Sequence, residues 1–276
     1  MRGSVVIPAH NEGAVIERTL ASLAPLAASG EVEVVVAANG CSDDTVARAR
    51  RVPGVRVLDL PEPSKVAALN AADAATDLFP RIYLDADILA PTASVVAVLE
   101  ALRTGTALAA RPPFVYDLTG ARALVRAYYR ARLRLPANSA ALWGAGCYAM
   151  SRLGRGRFGE FPGLVADDYY VDTLFAPHEK RVVDAAPVVV RVPRTPHALG
   201  RVLRRTYGGN TELHHHLRSG SGEAPAGSGN AKALLGTVRS PASLGDATVY
   251  ATFSVVGRSR FPGQATAWLR DESSRS

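Results

Sequence analysis

The sequence predicts an α/β protein with a mostly parallel, Rossmann-like sheet and helices on both faces, forming a single main domain. Three observations predict this fold. Strands and helices alternate over the first hundred residues, the strands are near-continuous apolar runs, and polar clusters follow the strand ends. Alternating strands and helices are typical of a parallel sheet covered on both sides. Strands buried on both faces lack the alternation of apolar and polar residues.

The strands and helices of the first half follow one another in a regular order. The predicted strands are 4–7, 31–38, 55–58 and 82–84, and the predicted helices are 14–23, 45–51, 65–75 and 93–103. Apolar residues recur near every 3.6 positions in the first helix. Ser42 is the expected N-cap of the helix at 45–51.

The second half is less regular. Strands are predicted at 107–111, 145–150 and 182–192, and helices at 120–135, 165–172 and 196–217. Residues 219–229 are rich in Gly and Ser, which predicts a flexible linker. The pattern does not place the C-terminal segment that follows.

The composition is that of a globular chain with excess positive charge. The 276 residues are 47% hydrophobic and 21% charged, which is compatible with a substantial core. The net charge of +7 fits an anionic partner, such as a nucleotide or a lipid headgroup. Nothing beyond this charge suggests nucleic-acid binding, because no pattern of aromatic and basic residues for stacking accompanies it. We therefore expect no nucleic-acid partner.

Cysteine usage and hydropathy predict a cytoplasmic protein. Cys41 and Cys147 are the only cysteines. They are too widely spaced to indicate a disulfide framework or a metal cluster, which favours a reducing compartment. We expect no signal peptide, because the predicted strand at 4–7 follows the first residues without the basic and apolar regions of such a peptide. We expect no membrane span, because no window reaches roughly 18 apolar residues. Peripheral contact with a membrane stays open.

Asp85 and Asp87 directly follow the apolar run Ile82–Leu84. Strand alternation would send both carboxylates to the same side. Two hard oxygen ligands suit Mg²⁺ or Mn²⁺, which in turn suit phosphates. An Asp-x-Asp pair alone also fits a solvated turn. However, ligands of parallel sheets bind beyond the carboxyl ends of the strands. Two more polar clusters, at 10–12 and 39–40, also follow predicted strands, and this coincidence favours a binding site.

These motifs, in this order, resemble a family 2 glycosyltransferase with a GT-A type fold. The resemblance extends over roughly residues 4–217 and rests on six motifs. They are Val-Val-Ile-Pro-Ala-His-Asn-Glu at 5–12, Ala-Asn-Gly-Cys-Ser-Asp-Asp-Thr at 38–45, Lys65 with Ala-Ala-Leu-Asn at 67–70, Asp-Ala-Asp at 85–87, Asp-Asp at 167–168, and Arg-Arg at 204–205 with Gly-Asn at 209–210. The resemblance implies an inverting, metal-dependent transfer of a sugar from a UDP- or GDP-linked donor to an acceptor hydroxyl.

The resemblance implies a nucleotide-binding role for the loops after the first two strands. The implied nucleotide-sugar contacts are Pro8, His10, Asn11, Glu12, Asn39 and Gly40. The family usually has two acidic residues where this chain has Ala38 and Asn39, so the nucleobase stays open. For Glu12 the alternative is an acidic residue at a helix N-terminus.

Three further residues have implied roles at the diphosphate and the metal. Lys65 is implied to lie near the diphosphate, and the alternative is an exposed lysine. Asp85 is implied to contact the nucleoside, and Asp87 to bind Mg²⁺ or Mn²⁺. The metal would neutralise charge on the leaving nucleoside diphosphate.

Asp167 and Asp168 stand at the position of the family's acidic catalytic pair. Asp168 is the expected general base, which takes the proton of the acceptor hydroxyl. An acidic helix N-terminus is the alternative reading, and Asp172 is the alternative base. Arg204 and Arg205 are implied to grip the diphosphate, although the Trp of the family's basic element is missing here and a solvated basic face is equally compatible.

The resemblance also implies the organisation of the chain. Residues 1–110 form the nucleotide-sugar-binding half, 111–217 the acceptor and catalytic half, 218–230 a linker, and 231–276 a segment of unknown role. The sequence does not distinguish among a small molecule, a glycan and a lipid-linked compound as the acceptor. Tyr128 and Tyr129 either line the acceptor pocket or pack in the core. The rival functions are a nucleotidyltransferase, which would show a Gly-rich loop after the first strand, and a non-catalytic nucleotide-binding protein.

Overall fold

A computed structural model describes residues 2–136, 140–164, 166–219 and 229–259. They fall into two compact units. The first contains residues 1–115, 140–163 and 167–190, and the second contains residues 116–139, 164–166 and 191–276. The predicted linker at 218–230 lies largely outside the described residues, as does the end of the C-terminal segment after 259.

The first unit is built on a sheet with the strand order β3-β2-β1-β4-β7-β5-β8. Its strands are β1 Gly3–Ala9, β2 Val32–Asn39, β3 Val55–Leu60, β4 Arg81–Leu84, β5 Ala109–Arg111, β7 Cys147–Met150 and β8 Lys180–Val182. Strand β7 runs antiparallel to both β4 and β5, and the other neighbours pair in parallel. The predicted mostly parallel sheet is therefore confirmed. Two further strands, β6 Phe114–Asp117 and β9 Val188–Arg191, form a separate sheet.

Helices cover both faces of the main sheet. The helices of this unit are α1 Ile16–Ala21, α2 Ala24–Ala28, α3 Thr45–Arg50, α4 Lys65–Ala74, α5 Thr92–Thr104, α7 Arg152–Arg155 and α8 Asp167–Thr173. One face contributes Val5 and Ile7 to a core shared with α1, α2 and α5. The opposite face contributes Val6 to a second core, shared with α4 and α8. Both faces of β1 are thus buried, as its unbroken apolar sequence predicts.

Three predicted elements differ from the structure. The helix expected at 14–23 is shorter, since α1 ends at Ala21, and a second short helix, α2, begins at Ala24 with Pro25 in its first turn. The strand expected at 182–192 divides into β8 and β9, and Pro187, which has no backbone N–H to donate, stands between them. Ser42 is not a helix cap. The cap position of α3 is Asp44, and Ser42 binds the side chain of Asn11 instead.

The second unit contains the long helices α6 Ala123–Leu133, α9 Pro196–Ser219 and α11 Pro241–Arg258, together with α10 Gly229–Gly236. An aromatic core joins α6 and α11, where Tyr128 stacks on Tyr250 with ring centroids 5.0 Å apart. On α9, Leu199 and Leu203 belong to the same core. In the described part of the chain, no helix has the length and apolar character required to cross a bilayer.

Candidate functional site

The loops that follow β1, β2 and β4 lie along one edge of the sheet. In the parallel register, Ala9 pairs with Ala38 and Val6 pairs with Tyr83. The carboxyl ends of the three strands are therefore neighbours, and so are the polar residues that follow them.

The loops after β1 and β2 bind each other closely. Asn11 has a left-handed backbone, with φ at +52°, and its side-chain oxygen accepts the backbone N–H groups of Ser42 at 2.6 Å and Asp43 at 3.2 Å. The backbone N–H of Glu12 donates to the Thr45 hydroxyl at 2.6 Å. Asn tolerates the left-handed region better than most residues. The predicted nucleotide-binding loop is thus held rigidly against its neighbour.

Asn39 ties the ends of β1 and β2 together beneath these loops. The residue is fully buried, and its amide nitrogen donates to the carbonyl of Ala9 at 2.9 Å, while its side-chain oxygen has no hydrogen-bond partner. The Asn39 carbonyl accepts a hydrogen bond from His10 Nδ1 at 2.5 Å. A direct contact between the Asn39 side chain and a nucleobase would therefore require this arrangement to open.

Gly40 makes the turn that follows Asn39. Its φ is +55°, and a Cβ atom there would lie 2.7 Å from the backbone nitrogen of Pro63. Glycine is the residue that combines this backbone conformation with so close an approach.

Asp85 and Asp87 lie just beyond β4, which ends at Leu84. The strand ends before either residue, so strand alternation does not determine the sides to which the two carboxylates point. The backbone N–H of Asp85 donates to the carbonyl of Gly146 at 2.8 Å. The carbonyl of Asp87 accepts from Arg18 at 3.2 Å. The turn that carries the two carboxylates is thus fixed from both sides.

Lys65 joins the strand-end carboxylates to the predicted catalytic pair. It is the first residue of α4, whose N-cap Ser64 accepts from the N–H of Ala67. The Lys65 ammonium lies 2.8 Å from Asp85 Oδ1 and 2.8 Å from Asp167 Oδ1. Burial disfavours the ammonium, but the two carboxylates outweigh it and raise the pKa of Lys65. The alternative of an exposed lysine is wrong, and the two carboxylates offset the unfavourable helix dipole.

Asp167 and Asp168 open helix α8, as predicted, but their surroundings differ. Asp167 is buried, and besides the ion pair with Lys65 it accepts a hydrogen bond from the Tyr148 hydroxyl at 3.0 Å. Burial, followed by the charge of Asp167, raises the pKa of Tyr148, so this hydroxyl stays a donor. Asp167 is therefore held in place from two directions.

Asp168 is only partly buried and has a perturbed pKa. One oxygen accepts from the backbone N–H of Gly144 at 2.9 Å, and the other from that of Tyr169 at 2.7 Å. Burial raises the pKa of Asp168 to about 6, and repulsion from Asp167 adds to this effect. A carboxylate with this pKa is mostly ionised at neutral pH, yet is a stronger base than an ordinary aspartate.

Asp172, the alternative base, is engaged elsewhere. Its Oδ1 lies 2.9 Å from the ammonium of Lys180 and accepts from the N–H of Leu142 at 2.8 Å. This ion pair favours a structural role for Asp172 and leaves Asp168 as the candidate base.

The loop before β7 was not singled out by the sequence, although it contacts both halves of the site. Gly144 holds Asp168, and Gly146 holds Asp85. Gly146 has φ at +60°, and a Cβ atom there would lie 2.6 Å from the side chain of Ile88. The pattern Gly-Ala-Gly directly before a buried strand was the available signal.

The oxygen ligands at this edge fit a hard divalent cation. The described residues contain no group of three His, Cys, Asp or Glu side chains arranged to hold a metal by themselves. Mg²⁺ commonly binds proteins through one or two carboxylates and completes its shell with substrate phosphates and water. The carboxylates of Asp85 and Asp87 fit that mode of binding.

The remaining predicted residues belong to the second unit. Arg204 is exposed and Arg205 is half-buried on α9, and their contact with a diphosphate stays a prediction. Tyr128 and Tyr129 are buried in the aromatic core, which favours the packing alternative over an acceptor pocket.

Comparison with known proteins agrees with this geometry. The sequence model of glycosyl transferase family 2 matches residues 4–151. A mannosyltransferase from Pyrobaculum calidifontis, solved in complex with GDP-Man and Mn²⁺, is 21% identical and superposes with a TM-score of 0.62 over 93% of this chain and 84% of its own. At that identity the likeness shows the GT-A type fold alone.

A second solved structure is more similar in sequence. Glucosyl-3-phosphoglycerate synthase from Mycobacterium tuberculosis, in complex with Mn²⁺ and UDP-Glc, is 26% identical, with a TM-score of 0.55 over 80% of this chain and 79% of that chain. The same synthase with Mn²⁺, UDP and glucosyl-3-phosphoglycerate is 28% identical, with a TM-score of 0.54 over 71% of this chain and 74% of that chain. No curated protein sequence matches the chain at a significant level.

Proposed function

Because the chain belongs to glycosyl transferase family 2, we propose that it is an inverting, metal-dependent enzyme that transfers a sugar from a UDP- or GDP-linked donor to an acceptor hydroxyl. The family supports glycosyl transfer. Inversion, the donor, the metal and the residue roles are the proposal.

The observation that carries the proposal is the position of Lys65. Its ammonium contacts Asp85, at the donor edge of the sheet, and Asp167, in the acidic pair, both at 2.8 Å. The two motifs are about a hundred residues apart in sequence, yet one side chain links them. A donor that reaches Asp85 therefore lies close to the carboxylates of α8.

In the proposed donor site, the loops after β1 and β2 receive the nucleoside. Solved relatives are bound to GDP-Man and to UDP-Glc, which supports either nucleotide. Lys65 is proposed to turn from the carboxylates toward the diphosphate, as a cation at the end of a flexible side chain can. Arg204 and Arg205 are proposed to add positive charge there.

The proposed metal residue is Asp87, with Asp85 directed to the nucleoside. Relatives solved with Mn²⁺ or Mg²⁺ support a divalent cation. When bound, Mg²⁺ or Mn²⁺ would stabilise the negative charge on the departing nucleoside diphosphate.

Asp168 is proposed to take the proton of the acceptor hydroxyl. Its pKa of about 6 suits a base that works near neutral pH. The N–H of Gly144 fixes one carboxylate oxygen, so the orientation of the base is set before the acceptor arrives. Asp167 is proposed to position Lys65 and not to act as the base, since it is buried and already bound on two sides.

The donor site is tested by thermal unfolding in the presence of UDP or GDP, with and without Mn²⁺. A ligand at about a hundred times its Kd stabilises the folded state by about 2.7 kcal/mol. We expect one of the nucleotides to raise the Tm of the wild type. Asp87→Asn should lose the part of the rise that requires Mn²⁺, whereas Asp184→Asn, an exposed carboxylate outside the site, should keep it. If neither nucleotide raises the Tm, the donor-site proposal is wrong.

Inversion is tested by following slow hydrolysis of UDP-Glc or GDP-Man by proton NMR, with water as the acceptor. An inverting enzyme releases the sugar first as the anomer opposite to that of the donor. Asp168→Asn should retain nucleotide binding but lose this release. Release of the donor's own anomer would contradict inversion.

A further inference from the structure

Helix α11 of the second unit has an unusual outward face. Its buried residues form one stripe: Ser243, Asp246, Ala247, Tyr250, Ser254 and Gly257. At 100° per residue, the exposed residues occupy the opposite half of the helix. Between the two ends of the helix they are Leu244, Gly245, Thr248, Ala251, Thr252, Val255 and Val256, here called the α11 outer face, and at the ends Pro241, Ala242 and Arg258 are also exposed.

The α11 outer face carries no charge. A helix on a protein surface ordinarily turns charged residues to water. The 18 residues of α11 include only two ionisable groups of the Asp, Glu, Lys or Arg type, the buried Asp246 and Arg258 in the last turn. Leu244 is 54% exposed, Val255 69% and Val256 45%. An uncharged strip of this kind, about 20 Å long from Leu244 to Val256 at 1.5 Å per residue, marks an interaction surface.

Positive charge lies on α6, the helix that packs against the buried side of α11, and in the last turn of α11 itself. Arg130 and Arg134 of the α6 region bind Asp246 at 2.6 Å and 2.8 Å, and Arg258 lies over the ring of Tyr207 at the other end of α11. Residues 122–134, which contain α6, include five Arg and no Asp or Glu. Asp246 offsets part of this charge, and the two packed helices together keep a positive excess.

From this combination we infer that the α11 outer face docks on an anionic lipid surface, with its apolar residues at the level of the acyl chains and the arginines at the headgroups. Interfacial helices combine an apolar face with basic residues in this way, and each basic residue near an anionic membrane adds to the attraction. A second copy of the chain is a poorer fit. Face-to-face packing would bring like charges together, and the strip lacks the aromatic residues that are enriched in protein interfaces.

The inference is independent of the proposed glycosyl transfer, and its test needs no substrate. The full chain is sedimented with vesicles of phosphatidylcholine, either pure or mixed with phosphatidylglycerol. We expect the wild type to sediment with the anionic vesicles at low salt, to be released at high salt because screening weakens the attraction, and to stay in solution with pure phosphatidylcholine.

Thr248 offers a matched pair of variants in the middle of the α11 outer face. Its side chain is exposed, so a substitution removes nothing from the core. Thr248→Glu should weaken vesicle binding about tenfold or more, because it places a negative charge at the lipid interface, whereas the neutral Thr248→Gln should bind more tightly than Thr248→Glu. Leu153→Glu, at a 76% exposed leucine of the first unit, controls for added negative charge elsewhere and should bind like the wild type.

A second variant removes apolar area without adding charge. The double variant Leu244→Ser with Val255→Ser should also reduce vesicle binding. The Tm of this variant and the Tm of Thr248→Glu report whether each protein is still folded. The inference is wrong if the wild type does not sediment with anionic vesicles, or if the variants of this face bind as it does. It is also wrong if light scattering shows a wild-type dimer that Thr248→Glu converts to a monomer, because the face would then cover a second copy.

Discussion

Asp168→Asn is expected to stabilise the protein while it removes the proposed base. In the folded state, the Asp168 carboxylate is partly buried beside Asp167, and this environment raises its pKa to about 6. An asparagine there can accept only one of the two backbone N–H groups that the carboxylate accepts, those of Gly144 and Tyr169, but it carries no charge that burial or repulsion can penalise.

The magnitude follows from the pKa. A rise from an ordinary value of about 4 to about 6 corresponds to about 3 kcal/mol at neutral pH, at about 1.4 kcal/mol per pH unit. Because the side chain keeps some exposure, and because the lost backbone hydrogen bond costs about 1 kcal/mol, we expect about 1–2 kcal/mol of added stability at pH 7.5. The folded state binds this proton more tightly than the unfolded state does. The wild type therefore loses stability as the pH rises from about 4 to about 6.

The assay is urea unfolding of the wild type and the variant at pH 7.5 and pH 4.5. The variant should have the higher free energy of unfolding at pH 7.5. The difference between the two free energies should be smaller by about 1–2 kcal/mol at pH 4.5, where the wild-type carboxyl is largely protonated. Groups remote from this carboxyl titrate equally in both proteins, so the difference in unfolding free energy reports the acidic pair to which Asp168 belongs.

Asp172→Asn is the matched control, since it makes the same change on the same helix. Asp172 is paired with Lys180 at 2.9 Å, so its loss leaves a cation without its partner and should destabilise the protein by about 1–3 kcal/mol. The reasoning is refuted if Asp168→Asn is less stable than the wild type at pH 7.5, or if the gap between them does not change with pH.

Three other predictions concern turnover, backbone strain and thiol reactivity. Turnover should be about tenfold lower at pH 5 than on its plateau, since Asp168 is then mostly protonated, and a profile flat to pH 4.5 would contradict its role as the base. Gly40→Ala should destabilise the protein in urea by about 2 kcal/mol or more, and by more than Gly30→Ala, which shares a positive φ but meets no neighbouring atom. A thiol reagent at pH 8 should modify one cysteine of the native protein, Cys41, because burial raises the pKa of Cys147 to about 12, and two reactive thiols in the native protein would contradict this.

The donor edge of the site could be predicted from local sequence. Strands β1, β2 and β4 are apolar runs that can be recognised as strands in the sequence. A parallel sheet places the loops that follow such strands at the same edge. These two facts are sufficient to predict that Asn11, Asn39 and Asp85 lie at one edge of the main sheet.

The contacts that hold Asp167 and Asp168, the proposed catalytic pair, could not be predicted in this way. Gly144 meets Asp168 and Tyr148 meets Asp167 because β7 inserts antiparallel beside β4, and no local pattern encodes that pairing. The ion pairs of Lys65 depend on the same long-range arrangement.

Helix α11 escaped prediction for a different reason. Helices are recognised from sequence by the contrast between an apolar face and a polar face. On α11 both halves are largely uncharged, so the 3.6-residue period is blurred. The small number of charged residues on α11 makes the helix difficult to recognise from sequence, and it also makes the exposed surface of the helix unusual.

The placement of Lys65 has a consequence for the order in which ligands assemble. In the absence of donor, its ammonium already neutralises part of the acidic cluster formed by Asp85 and Asp167. A metal ion arriving alone must compete with this built-in cation, whereas one arriving with a diphosphate brings anionic oxygens that give Lys65 a new partner. Under the proposed roles of these residues, this geometry favours cooperative loading of metal and nucleotide.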